Sequence, residues 1–196
     1  IESWKSGQPF TQNKGLEKFK EYLERKDLHF KTVLDVGAWC GTWSNDMSKY
    51  ADTVHAFEPD ALHYECLLKN KKENVIPHLC AVGSQKAKVS LVENEKNFTQ
   101  EKRVVPEGDI LMTTVDSFAL ENIDLIKIDV EGYEMEVLNG ASEALAQTTY
   151  VMIELNNNSK KYGSSNGQIT KFLTQRGFSQ LIRTWPDVVF VNNYTG

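Results

Sequence analysis

Thr32-Val33-Leu34-Asp35-Val36-Gly37-Ala38-Trp39-Cys40-Gly41 is a β-branched run that breaks into a turn bearing two glycines. Trp43, Met47 and Tyr50 then fall on one helical stripe, so the stretch reads as strand, tight turn, helix. Working outward, strand-like runs recur at 53–58, 75–82, 124–129 and 150–155. Leu16, Phe19 and Leu23 stripe a helix before the first strand. Ile169, Phe172 and Leu173 stripe another that stops at Gly177, a good helix end. Alternating strands and helices mean βαβ units and a mostly parallel sheet covered on both faces. The runs at 178–183 and 187–192 are joined through Trp185-Pro186, too short for a parallel crossover, so this pair must be antiparallel. The expected fold is α/β and doubly wound: a mostly parallel sheet that ends in an antiparallel hairpin.

Two runs at 88–92 and 111–115 have no helix between them and read as a small β insertion over 88–115. Residues 93–109 and 156–166 are polar and aperiodic and read as mobile surface loops, either of which would suit a lid. No repeat or linker divides the 196 residues, so one domain is expected over 1–196, opening with a helical segment at 1–30.

Composition narrows the classes. With 40% hydrophobic and 25% charged residues the chain is globular. No apolar run approaches the ~18 residues of a membrane span, and no leader precedes the first helix, so no membrane partner is expected. Ile1 in place of Met leaves room for a longer parent chain. Cys40, Cys66 and Cys80 are too few and scattered for a disulfide framework, which points to a reducing, cytoplasmic setting. A net charge of −5 and a pI near 5.5 disfavour a nucleic-acid partner.

The chemistry sits at strand ends. The turn is D-x-G-x-x-x-G, with Trp39 where a dinucleotide fingerprint has its pyrophosphate-hugging glycine. A glycine-bearing turn after a strand is common in any case. Glu58 ends the second strand, before Pro59, where an acid can accept from both hydroxyls of a ribose. It could equally cap the next helix. Turn and acid together mark a nucleoside ligand lacking a pyrophosphate, so NAD is not expected. Asp35, Glu58, Asp129 and Glu154 all fall at or near strand ends, where open α/β sheets bind ligands. Lys127 is odd in an apolar strand, and its ammonium is expected to reach a neighbouring acid. His55 and His63 lie around the second strand and its helix; His63 reads as a surface residue, and neither is taken as catalytic.

D-V-G-A-W-C-G-T-W from Asp35, A-F-E-P from Ala56 and I-K-I-D-V-E-G-Y-E-M-E-V-L-N-G-A from Ile126 resemble the FkbM family of S-adenosylmethionine-dependent methyltransferases. The resemblance implies a seven-stranded, Rossmann-like sheet of the class I methyltransferase kind, mostly parallel with an antiparallel last strand. It also implies that Asp35, Gly37, Ala38 and Gly41 cradle the methionine part of S-adenosyl-L-methionine. It implies that Glu58, beside Pro59, binds the ribose, and that the Cys80-Ala81-Val82 turn meets adenine. Asp129 would lie beside the cofactor's amino group and near the transferred methyl. Glu131 and Glu134 belong to the family string without an evident role. Many class I methyltransferases carry an acid or Asn after the third strand, and here Ser84 is the nearest polar side chain.

The implied function is O-methylation of a hydroxyl on a sugar or another hydroxylated small molecule, with Asp129 as general base. An aspartate at its ordinary pKa of about 3.9 is a weak base, and Glu154 is the neighbouring acid that would help. Three alternatives stand beside it. One is metal-assisted transfer, with Asp129, Glu154 and Asn156 as oxygen ligands. The second is an RNA 2′-O-methyltransferase using Lys127 with Asp129. The third is a cofactor-binding interaction domain without chemistry.

Overall fold

The computed structural model describes residues 14–93 and 102–194. It opens with α1 (Lys14–Lys26), β1 (Phe30–Val36), α2 (Thr42–Met47), β2 (Ala51–Phe57), α3 (Ala61–Asn70) and β3 (Val75–His78). Four short strands follow: β4 (Ala81–Val82), β5 (Ala87–Glu93), β6 (Lys102–Pro106) and β7 (Ile110–Thr113). Alternation resumes with β8 (Ile123–Ile128), α4 (Glu134–Asn139), α5 (Ser142–Gln147), β9 (Tyr150–Glu154), α6 (Asn166–Thr174), β10 (Phe178–Thr184) and β11 (Asp187–Asn192).

Seven strands form the main sheet in the order β10-β11-β9-β8-β1-β2-β3. β8, β1, β2 and β3 pair in parallel, as do β8 and β9, whereas β11 runs antiparallel to both β9 and β10. The expected reversed last strand is therefore present, inserted between its two neighbours. Strand order reverses between β1 and β8, which opens a crevice at their carboxyl ends.

Alternation along the strands divides the core between the two faces. Val33, Val54 and Leu125 meet Leu16, Phe19 and Leu23 of α1, Trp43 and Met47 of α2, and Leu67 of α3. Leu34, Val36, Phe57, Ile126 and Ile128 face Val137, Leu138, Leu145, Ile169 and Leu173 on the helices opposite. Each large apolar side chain sealed this way contributes about 1.5–3 kcal/mol, which holds even the six-residue α2 in place. Tyr50 is not on that helix, which stops at Met47.

Other expectations need correction too. The run 75–82 is two strands, because the chain turns at Leu79: Cys80 N–H donates to His78 O at 3.1 Å, and β4 leaves for a second sheet. That sheet has the order β4-β7-β5-β6, so the insertion is richer than two strands. Of the expected loop 93–109, residues 94–101 lie outside the described residues, but 102–106 is β6, paired with β5 through Val104 and Val105. The stretch 156–166 is not an open loop either. It holds a 3-10 turn at Asn158–Tyr162, and Ser165 then caps α6 by accepting from Gln168 N–H. Of the expected helical segment 1–30, 14–26 is helix and 1–13 lies outside the described residues.

Candidate active site

A cavity of about 640 Å³ opens at the carboxyl ends of β1, β2 and β8. Gly37 and Trp39 line one side, Glu58, Pro59, Asp60 and His63 the next, and Cys80, Ala81 and Val82 a third. Asp129, Glu131 and Tyr133 come from the end of β8, while Leu91, Lys102 and Val104 of the small sheet form a roof.

The turn after β1 alternates left-handed positions, with φ of 85° at Gly37, 49° at Trp39 and 81° at Gly41. Gly37 has to be glycine, since a Cβ would lie 1.8 Å from the Asp129 carbonyl oxygen. Trp39 takes the same backbone region at a cost of about 1–2 kcal/mol. Its N–H donates to Glu58 Oε2 at 2.9 Å, which helps to offset that strain. The Gly37 and Ala38 N–H groups both donate to Phe57 O at 3.0 Å, and Gly41 N–H donates to Ala38 O at 2.8 Å. These four amides are therefore spent inside the protein, and they make no anion cradle of the kind a pyrophosphate needs.

Glu58 is buried yet on the wall, accepting from Trp39 N–H and from Asp60 N–H at 2.8 Å. Asp60 caps α3 by accepting from Leu62 and His63 N–H at 3.0 Å each, and its other oxygen pairs with Lys102. Burial works against the Asp60 charge, but Lys102 and the His63 amide outweigh it and lower the pKa. His63 sits between Glu58 (3.7 Å) and Asp60 (3.8 Å), on the cavity wall rather than on the open surface. The run Glu58-Pro59-Asp60 before a helix was a legible capping signal for Asp60. Lys102 and Tyr133 carried no such signal. His55 lies away from the cavity, paired with His78 at 2.9 Å.

Three expected residues are not on the cavity wall. The Asp35 carboxylate is sealed beneath the turn, 2.9 Å from Lys127 Nζ and accepting from Ser44 Oγ at 2.6 Å. Ala38 is buried in the core beside α2. Gly41 faces α3, where a Cβ would lie 2.4 Å from Leu67 Cδ1. These three shape the turn from behind. Gly37, Glu58, Pro59, Ala81 and Asp129 do line the cavity.

Lys127 ties the parts together. Its Nζ donates to Gly37 O at 2.9 Å, lies 3.5 Å from Asp129 Oδ2, and sits over the Trp43 ring. Burial opposes the Lys127 charge, but Asp35 and Asp129 together raise its pKa above the ordinary lysine value. Asp129 keeps its side chain 35% exposed toward the cavity. Glu131 adopts φ 56°, and its Oε2 accepts from Asn158 Nδ2 at 2.9 Å. Asp129, Glu131 and Glu154 bring one oxygen each within 4.8 Å of one another. Burial first, then the Asp129 and Glu131 charges, push Glu154 up to about 9, so it holds its proton at neutral pH. Asn156 does not join the group as an oxygen ligand: its Nδ2 donates to Glu154 and its Oδ1 accepts from Asn158 N–H. Glu134 is structural, its buried carboxylate accepting from Gly132 N–H at 2.8 Å to close the turn after β8.

The strand order, the reversed β11 and an acid closing β2 beside a glycine turn define a class I, Rossmann-like methyltransferase fold. The chain matches the methyltransferase FkbM domain over residues 35–179. It belongs to the FkbM methyltransferase family. The hexuronic acid methyltransferase AglP of Haloferax volcanii is 29% identical over 154 residues, which are 74% of this chain and 62% of that protein. The chain thus spans less than two thirds of that relative. Among solved structures, a methyltransferase FkbM from Methylobacillus flagellatus KT superposes with a TM-score of 0.58 at 17% identity, covering 83% of this chain and 43% of that one. Magnesium protoporphyrin IX methyltransferase (ChlM) from Synechocystis PCC 6803, solved with S-adenosylmethionine bound, gives a TM-score of 0.55 at 13% identity, over 91% and 78%. Among the described residues no helix is long and apolar enough to cross a membrane.

Proposed function

We propose that this chain binds S-adenosylmethionine across the ends of β1 and β2 and directs its methyl group to a hydroxyl of a sugar or similar small molecule. The observation that carries the reading is the placement of Glu58, after β2, and Asp129, after β8, on the wall of one cavity whose turn amides are spent. The residues fit that cofactor: a carboxylate with spare lone pairs for ribose hydroxyls, an apolar wall of Phe57, Ala81 and Val82 for adenine, and Asp129 for an ammonium. When bound, the cofactor supplies an electrophilic methyl on a sulfonium.

The protein's own part is alignment and one proton. Glu58, held by the Trp39 and Asp60 amides, fixes the ribose, and Gly37 lets the end of β8 approach the turn. Asp129, oriented by Lys127, accepts the proton of the substrate hydroxyl. Asp35 keeps Lys127 in place and does not itself reach the ligand. The kinship with a hexuronic acid methyltransferase supports a sugar as acceptor.

The convergence of Asp129, Glu131 and Glu154 favours a second reading, in which Glu154 gives up its proton and the three carboxylates hold a divalent cation beside the acceptor. One experiment separates the two. Methyl transfer from labelled S-adenosylmethionine to a panel of sugars and uronic acids is followed with and without chelator. An unchanged rate supports the base alone, and loss restored by Mg²⁺ supports the cation. A thermal shift with NAD in place of S-adenosylhomocysteine sinks both.

A further inference from the structure

Two of the three cysteines meet beside the turn that closes the cavity, although they are remote in sequence. Cys40 lies between Trp39 and Gly41, and Cys66 is on α3. The backbones approach closely here: a Cβ on Gly41 would stand 3.8 Å from the Cα of Leu67. Each of those residues directly follows one of the cysteines. Asn70 Nδ2 reaches both, 3.4 Å from Cys40 O and 3.3 Å from Cys66 Sγ. Burial first, and then contact with the Cys66 thiol, push Cys40 up to about 12. Both cysteines are half-buried, whereas Cys80 is buried.

We propose that Cys40 and Cys66 are an oxidation-sensitive dithiol whose disulfide ties the cavity turn to α3 and weakens cofactor binding. Asn70 Nδ2 donates to Cys66 Sγ and Cys40 holds its proton more tightly than a free thiol, so Cys66 is assigned as the attacking sulfur. Its thiolate attacks a hydroperoxide; the O–O bond breaks, and Cys66 becomes a sulfenic acid as hydroxide or alkoxide leaves. The Cys40 sulfur then displaces the sulfenic oxygen, forming S–S and breaking S–O, and the Cys40 proton leaves with that oxygen as water. The two thiols lose two electrons and the peroxide gains them. A small thiol reverses the step by exchange.

A disulfide fixes the two sulfurs about 2.05 Å apart with a set torsion, and so constrains the turn against α3. Gly41 already rests on Leu67, and the constraint passes into the turn, where Trp39 N–H holds Glu58. The loss of affinity therefore rests on Glu58 being the ribose ligand; the disulfide itself does not.

The test compares the reduced chain with the chain treated with hydrogen peroxide, and both with Cys66→Ser. Expected for the wild type are an intact mass lower by two hydrogens and a linked Cys40–Cys66 peptide. Affinity for S-adenosylhomocysteine should fall at least about fivefold, the low end of ordinary coupling between sites, and recover in dithiothreitol. Cys66→Ser should show none of these changes. Absence of the linked peptide, or an unchanged affinity in the linked protein, overturns the proposal. A reduced chain that fails to bind S-adenosylhomocysteine sinks the cofactor reading instead, because the linked peptide is read without cofactor.

Discussion

Lys127 Nζ lies 2.9 Å from Asp35 Oδ1, and the two residues stand directly opposite each other on β8 and β1. Both are buried on the face covered by α2, so the pair is a fixed strut beneath the turn.

Removing half of that strut leaves a buried charge without its partner. Lys127→Met is expected to cost about 3–5 kcal/mol in urea unfolding. Adding Asp35→Asn to that variant should return part of the loss, since Ser44 still bonds the side chain. A double variant no more stable than Lys127→Met would show that the pair itself is not what Lys127 supports.

Glu58→Gln keeps the shape and removes the charge. A charged acceptor to hydroxyls is worth about 1.5–3 kcal/mol, so S-adenosylhomocysteine should bind roughly ten- to hundredfold more weakly by calorimetry. Equal affinity would release Glu58 from the ribose.

Asp129→Asn should leave the melting temperature nearly unchanged, because the side chain is part-exposed. At saturating cofactor, kcat should fall ~10²–10⁴-fold if the carboxylate takes the substrate proton. A loss confined to cofactor affinity would make it an ammonium ligand only.

Glu154 makes the fold lose stability as pH rises. Its folded pKa, raised to about 9, lies above the ordinary glutamate value, so its contribution is whole below that ordinary value and is lost as pH climbs toward 9. Glu154→Gln mimics the protonated form. Its melting temperature at pH 8 should exceed that of the wild type, with the difference closing by pH 4.

The His55–His78 pair acts in the opposite sense. Burial, and then His78, lower His55 to about 4, so the folded state resists a proton that the unfolded chain accepts near 6.5. Stability should decline as pH falls from about 6.5 to 4, by about 1–2 kcal/mol given the part-exposed ring. His55→Phe keeps the stacking and should flatten that limb of the pH curve.

The sheet was legible because its cues are local. β-branched runs, helical stripes and the short Trp185-Pro186 connection all act within a few residues. Glu58 and Asp129 were legible too, since strand-end acids are visible once the strands are placed. β6 escaped notice because its Val104 and Val105 are flanked by charges, and its pairing partner lies across residues that carry no periodic signal. Asp60, His63 and Lys102 were missed as wall residues because each looks like an ordinary surface polar group until the small sheet brings Lys102 over the other two.

Taken alone, the order of residues determined the α/β class, the reversed last strand and the acids at the strand ends, since these follow from periodicity and turn chemistry along the chain. Only the tertiary structure decided that Asp35 is sealed behind the turn while Asp129 faces the cavity. It alone showed that Lys127 serves both acids, and that Cys40 meets Cys66. Burial and charge pairing are properties of distance through space, and β1, β8 and α3 set those distances by packing across long separations in sequence.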